Sequence, residues 1–185
     1  MASVAKIVGT GANETRGGGG IDTWTNPGNC TADDAVVTYT GDLTSTGYTD
    51  YLKATMNGNV FAIAADQQID GIVVELGDLD TLDGEGDARI GEVILISSLG
   101  DGNDNTDLYV LNTGSLPATR SYGSSSDLWG LALTPAVVNG TDFGVKLSIE
   151  NTTGANAKKP EVDFIRITVH HSDAPVDASN IIFID

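Results

Sequence analysis

Across residues 143–150, large apolar residues alternate with small or polar ones without a break. Phe143, Val145, Leu147 and Ile149 fall on one side, and Gly144, Lys146, Ser148 and Glu150 on the other. A period of two belongs to a strand with one buried face, not to a helix. The pattern recurs at residues 162–170, with Ile165, Ile167 and Val169 on the core side, and at residues 69–76, with Ile72, Val74 and Leu76. The run Val93-Ile94-Leu95-Ile96 reads as a strand covered on both faces. Shorter candidates lie at residues 35–40, 50–55, 59–64, 108–111, 128–133 and 181–184, and Asn57-Gly58 marks a tight turn. Thr134-Pro135 opens a single helical turn, with Thr134 as cap and Pro135 as first residue.

Composition agrees with this pattern. Of the 26 acidic residues, 20 are Asp and six are Glu, and there are 23 glycines. Asp and Gly feed turns, whereas Glu would feed helices. About eight strands with no helix beyond a turn or two predict an all-β fold, two antiparallel sheets packed as a sandwich. Irregular spacing and long connections favour a jelly-roll-like topology over an up-and-down barrel. No repeat of fixed period points to a propeller or solenoid.

The 185 residues suit one domain. We read residues 21–185 as the sandwich and residues 1–20 as an extended N-terminal arm. Two readings of the arm stand: a frayed terminus, or a segment docked on a neighbouring molecule. In the second, Val4, Ile7 and Val8 add a short strand to a neighbour's sheet edge. The four glycines at residues 17–20 then act as the flexible joint.

The formal net charge is −17. So acidic a surface repels nucleic-acid backbones and anionic lipid, so neither is an expected partner. No apolar run approaches the ~20 residues of a membrane-spanning helix. The first 20 residues lack the basic start, apolar middle and cleavage site of a signal peptide, so export by the common route is not expected. One cysteine, Cys30, rules out an intrachain disulfide and reads as a small core residue.

Residues 101–107 place Asp101, Asn103, Asn105 and Asp107 at alternate positions. This spacing wraps oxygen ligands around calcium. It departs from the EF-hand pattern at Thr106 and Asn112, so a solvated hairpin loop competes with a calcium site. A second acidic stretch holds Asp78, Asp80, Asp83, Glu85 and Asp87. Beyond calcium no cofactor is expected. His170 and His171, adjacent on a strand, point to opposite faces and read as surface residues. No Gly-x-Ser-x-Gly elbow and no phosphate-binding glycine loop is present. We therefore expect no enzyme. Trp24 and Trp129 are either core anchors or platforms for stacking a sugar. Asn13, Asn29, Asn139 and Asn151 each begin an Asn-x-Ser/Thr triplet.

Several short motifs, taken in order, carry a resemblance. They are Trp24-Thr25-Asn26-Pro27, Tyr51-Leu52-Lys53-Ala54-Thr55, Ile69-Asp70-Gly71-Ile72, Tyr122-Gly123-Ser124, Asp127-Leu128-Trp129-Gly130, Thr134-Pro135 with Val138-Asn139, Phe143-Gly144-Val145, and residues 163–169. Over residues 22–170 the chain resembles sandwich domains in structural proteins of tailed bacteriophages and prophages, including head-decoration and tail-associated proteins. The resemblance implies a jelly-roll-like virion protein without catalytic residues, and no site residue carries over. From it we expect a capsid decoration (cement) protein on the head surface of the virion. Its partners would be further copies of itself, a trimer being favoured, and the major capsid protein or other virion proteins. A tail or adhesion component and a carbohydrate-binding module are the alternatives.

Overall fold

A computed structural model describes residues 1–81, 88–111, 118–154 and 159–175. Among these residues the chain builds two antiparallel sheets packed face to face, the expected sandwich. The spine of the first sheet is β7 (Gln67–Thr81). Val74 pairs with Tyr122 of β10 (Ala118–Gly123) and also with Ile167 of β13 (Ile165–Asp173), so those two strands flank it. β1 (Ala2–Ile7) lies outside β13. At the far end of β7, β12 (Pro160–Val162) carries the sheet on to β4 (Thr38–Thr40) and β3 (Trp24–Thr25).

The second sheet runs β2 (Thr10–Glu14), β6 (Tyr51–Thr55), β11 (Gly144–Asn151), β8 (Ala88–Ser97), β9 (Gly100–Asp104). β5 (Gly47–Tyr48) pairs with the end of β11. Successive strands repeatedly cross from one sheet to the other, as a jelly-roll-like sandwich requires. The one described α-helix, α1 (Pro135–Val138), is a single turn; the Thr134 side chain accepts a hydrogen bond from the Val137 N–H.

The core forms where the two inner faces meet. Val145, Leu147 and Ile149 of β11 face Ile165, Ile167 and Val169 of β13 and Ile72, Val74 and Leu76 of β7, all within 1 % of complete burial. The register expected for β11 is the observed one. Its outward side is covered as well: Lys146 is 8 % exposed and Ser148 not at all. In β8, Val93 and Leu95 are fully buried and Ile96 nearly so.

The first twenty residues differ from the expected arm. β1 pairs with β13 of the same chain, and β2 pairs with β6. Val8 is 1 % exposed, and Val4 and Ile7 pack against the core, so these three side chains stabilise their own sandwich. The chain crosses between sheets beside two close approaches. A Cβ at Gly9 would collide with the Asn57 carbonyl, and one at Gly11 with the Pro27 carbonyl. The four-glycine run is a seated loop rather than a joint. The Arg16 and Gly20 N–H groups both donate to Asp50 Oδ1 (2.9 and 2.8 Å), and Gly18 and Gly19 take left-handed backbone that favours glycine.

Other expected strands are shortened for local reasons. Ala35 stands at φ 62°, so the strand begins only at Thr38. Residues 59–64 join no sheet; the Asn139 amide bonds both backbone groups of Ile63 in place of a partner strand. Trp129 at φ 56° breaks the candidate at 128–133. The candidate at 181–184 lies outside the described residues.

Leu147→Ala or Ile165→Ala should cost about 2–5 kcal/mol in urea unfolding, because each empties a fully enclosed site. Deleting residues 1–8 should lower the melting temperature, since it uncovers β13 and removes Val8. An unchanged melting temperature would mean that β1 is not part of the folded sheet.

Candidate functional site

The residues of the expected calcium loop are drawn to separate partners. β9 runs through the first of them, so this stretch is partly strand. Asp101 Oδ2 accepts from Lys146 Nζ at 2.6 Å. The Asn103 N–H donates to the Trp129 carbonyl, and Asn105 Nδ2 donates to Asp127 Oδ2 at 2.7 Å. Asp107 pairs with Arg120 and also accepts from the Tyr109 N–H. The structure thus does not gather Asp101, Asn103, Asn105 and Asp107 around one point. Tyr122 is buried beside the Asp107–Arg120 pair, its hydroxyl without a well-formed hydrogen bond, and burial pushes its pKa up. Asp83, Glu85 and Asp87 of the second acidic stretch lie outside the described residues.

Both tryptophans are core anchors, which removes them as sugar platforms. Trp24 is 3 % exposed and donates through Nε1 to the Asp50 carbonyl; Trp129 is fully buried and donates to the Ile72 carbonyl. Cys30 is buried, and burial pushes its thiol up to about 12, which makes it a poor nucleophile. The four triplet asparagines also serve the fold. Asn13 bonds the backbone of Trp24, Asn29 that of Val37, Asn139 that of Ile63 and Asn151 that of Leu43.

The histidines sit where β7 carries one extra residue, Asp70, between the partners of His170 and His171. His171 Nδ1 meets Gln67 Oε1 at 3.0 Å, and Gln67 Nε2 donates to Asp173 Oδ1 at 3.0 Å. This pairing makes Nδ1 the protonated nitrogen. Ser172 Oγ donates to Asp70 Oδ1 at 2.9 Å, not to an imidazole, so no nucleophile–base pair forms. Gln67, His171, Ser172 and Asp173, with Met1 and Ala2, line an open groove of about 420 Å³ at the start of β1.

The most developed polar assembly covers the outer face of the second sheet. Lys146 and Lys53 are direct cross-strand neighbours, an arrangement that repels. Glu14 answers it, with Oε2 at 2.6 Å from Lys53 and Oε1 at 3.7 Å from Lys146. Arg16 reaches from beyond β2 across the face and grips Glu92 through Nε (3.0 Å) and a second nitrogen (3.2 Å). On the way it lies over the rings of Tyr48 (4.1 Å) and Tyr51 (6.0 Å), while Lys146 lies over Tyr51 (4.6 Å). Ser148 Oγ donates to Glu92 Oε2 at 2.9 Å. Burial works to raise the Glu92 pKa, but donations from Arg16, Ser148 and Tyr51 outweigh it and hold the carboxyl below the usual range. Sequence reasoning missed this assembly, because its members come from five strands and a loop. The local signal available was the polar outward side of β11.

Comparison with protein-family models, curated proteins and solved structures finds no match to this chain.

A depressed carboxyl pKa contributes stability that is present above the unfolded value, about 4.3 for Glu, and lost as pH falls through the folded one. Urea midpoints should therefore fall between pH 5 and pH 3, and Glu92→Gln should flatten that dependence. Arg16→Ala should cost about 1–3 kcal/mol at pH 7, because it strands a mostly covered carboxylate. Equal acid sensitivity in wild type and Glu92→Gln would show that Glu92 does not set it.

Proposed function

We propose that the chain is a non-enzymatic structural protein of a bacteriophage particle, a decoration protein on the outer surface of the head that acts as a homo-oligomer, with a trimer favoured. The phage assignment rests on the motif resemblance. The assembly role is supported by one structural observation, the outer edge of β1.

Among the described residues β1 has a neighbour on one side only. Edge strands in soluble proteins are usually guarded by charge, proline or a bulge. β1 has no proline and no bulge, and a single charged residue, in a chain of net charge −17. Its one charged side chain, Lys6, folds back onto Asn59 Oδ1 and the Val60 carbonyl. Ala2, Ser3 and Ala5 are exposed. An uncharged backbone ladder of this length can accept a strand from another chain. The expected docking is thereby reversed: the N-terminal strand offers its free side to a partner while remaining in its own sheet. A tail-associated position uses the same edge and differs only in location.

The ladder itself supplies the variant. The Val8 N–H donates to the Ile165 carbonyl, which makes this facing pair hydrogen-bonded. Alternation along an antiparallel pair then turns the N–H groups of Ser3, Ala5 and Ile7 outward. Ala5→Pro removes one outward donor and leaves the β13 ladder intact. It should keep the monomer folded but reduce oligomer formation, measured by light scattering, and attachment to particles purified from cells that carry the gene. Electron cryomicroscopy of those particles should place many copies on the head. Absence from purified particles, or turnover of a glycan by the purified chain, would overturn the proposal; density at the tail would move it there.

A further inference from the structure

We propose that Asn57 is a modification site, where the exposed Asn57-Gly58 turn deamidates spontaneously to isoaspartate and aspartate. The chain holds two Asn-Gly pairs, 57–58 and 139–140, and the fold treats them in opposite ways. The Asn59 N–H donates to the Met56 carbonyl at 2.8 Å, which puts Asn57 and Gly58 at the corner of a turn, both exposed. Gly58 stands at φ 90°. Among the described residues neither the Asn57 side-chain amide nor the Gly58 N–H has a hydrogen-bond partner. At the second pair both reacting groups are held. Asn139 Nδ2 donates to the Ile63 carbonyl at 2.8 Å, and Asn139 Oδ1 accepts from the Ile63 N–H at 3.0 Å. The Gly140 N–H donates to the Val137 carbonyl at 3.1 Å.

The reaction needs only water and the chain itself. The Gly58 amide nitrogen gives its proton to solvent base and attacks Asn57 Cγ. The new N–Cγ bond closes a five-membered succinimide, and the side-chain nitrogen leaves as ammonia, taking up one proton. Water then opens the ring at one of its two carbonyls. Breaking the bond to the former main-chain carbonyl gives isoaspartate, and breaking the bond to Cγ gives aspartate. One water is consumed and one ammonia released, with nothing oxidised or reduced. A glycine after the asparagine leaves the attacking nitrogen unhindered, because it carries no Cβ. At Asn139 the same ring closes only after the bonds to Ile63 and the Gly140–Val137 bond are broken.

The product matters because this turn braces the crossing from β1 to β2. Asn59 Nδ2 donates to the Ile7 carbonyl at 2.7 Å, Lys6 Nζ to the Val60 carbonyl at 2.9 Å, and the Gly9 N–H to the Thr55 carbonyl at 2.8 Å. The Asn57 carbonyl lies against Gly9 so closely that no Cβ fits between them. In isoaspartate that carbonyl becomes a charged carboxylate, and the main chain runs through Cβ and Cγ instead, one atom longer. A carboxylate pressed on the Gly9 backbone and a lengthened turn loosen the end of β1. The aspartate product keeps the backbone and adds only a surface charge. The inference does not depend on the proposed place of the chain in a particle.

The test is to age the folded full chain in warm, mildly alkaline buffer and to follow both sites by mass spectrometry of tryptic peptides, in which residues 54–89 and 121–146 separate. Fragmentation assigns the exchange of NH2 for OH to residue 57. Transfer of a labelled methyl group by an isoaspartyl methyltransferase marks the isoaspartate. In the folded chain residue 57 should convert at least about tenfold faster than residue 139, the factor set by breaking the hydrogen bonds that hold Asn139 and Gly140. In urea the two rates should converge, since the dipeptide is the same. Aged wild type should melt about 2–4 °C below fresh protein, in step with the isoaspartate fraction. Asn57→Gln, whose longer side chain closes the ring poorly, should keep its melting temperature on ageing. The inference is overturned if folded chain converts residue 139 as fast as residue 57, or leaves residue 57 intact where unfolded chain converts it. A melting temperature that stays constant as isoaspartate accumulates at residue 57, or that falls equally in Asn57→Gln, overturns the link to β1.

Discussion

Closure of β11 on both faces is the constraint on which the rest of the sandwich depends. Its inner side chains meet β7 and β13 in the core, as any half-buried strand would. Its outer side chains include Lys146 and Ser148, which water does not reach freely. A covered ammonium needs a carboxylate, and a covered carboxylate needs donors. Lys146 therefore requires Asp101 and Glu14, and Glu92 requires Arg16 and Ser148. Two of these partners, Glu14 and Arg16, come from the first sixteen residues. The N-terminal segment is thus bound to the fold by the electrostatics of a strand far along the chain. Asp50 fixes the same segment from beneath, accepting from Arg16 and Gly20 while its carbonyl receives the Trp24 indole.

This arrangement spends the basic residues. Arg16, Lys53, Arg89, Arg120, Lys146 and Arg166 are each tied to a carboxylate of the same chain. With nine basic residues against 26 acids, the exterior is left almost uniformly negative. Exposed pairs of this kind add little stability. The covered ones serve instead to close the outer face of the sheet. The acids that remain repel one another, and the repulsion is concentrated where loops bring several together, as at Asp33, Asp34, Asp78 and Asp163.

The fold was legible where a single strand carries its own pattern. Residues 143–150 declare their inner face by alternation and the register holds; of the strand expected over 162–170, the alternation of Ile165, Ile167 and Val169 holds, but the strand begins only at Ile165, with Val162 ending β12. The capped turn at Thr134-Pro135 was readable because its signal is local. What could not be read comes from contacts distant in sequence. Val4 and Ile7 look the same whether they join a neighbour's sheet or their own, since the partner, β13, lies more than 150 residues away. The glycine run looks flexible until Asp50 supplies an acceptor. Alternating Asp and Asn at 101–107 resemble a ligand loop until Lys146, Asp127 and Arg120 claim them separately.

The free edge of β1 and the acidic exterior bear on each other. Strands that pair lie about 4.8 Å apart, well inside the Debye length of about 10 Å at 0.1 M salt. Two copies joined at β1 would bring their negative surfaces within that range. The edge is nearly free of charge, so the repulsion would come from the surrounding loops rather than from the contact line. Screening or bound cations would then ease association of copies, while a basic partner would gain from the same field and lose affinity as salt rises. The sign of the salt dependence thus distinguishes a copy from a basic partner at this edge, because the two use the same backbone ladder but opposite electrostatics.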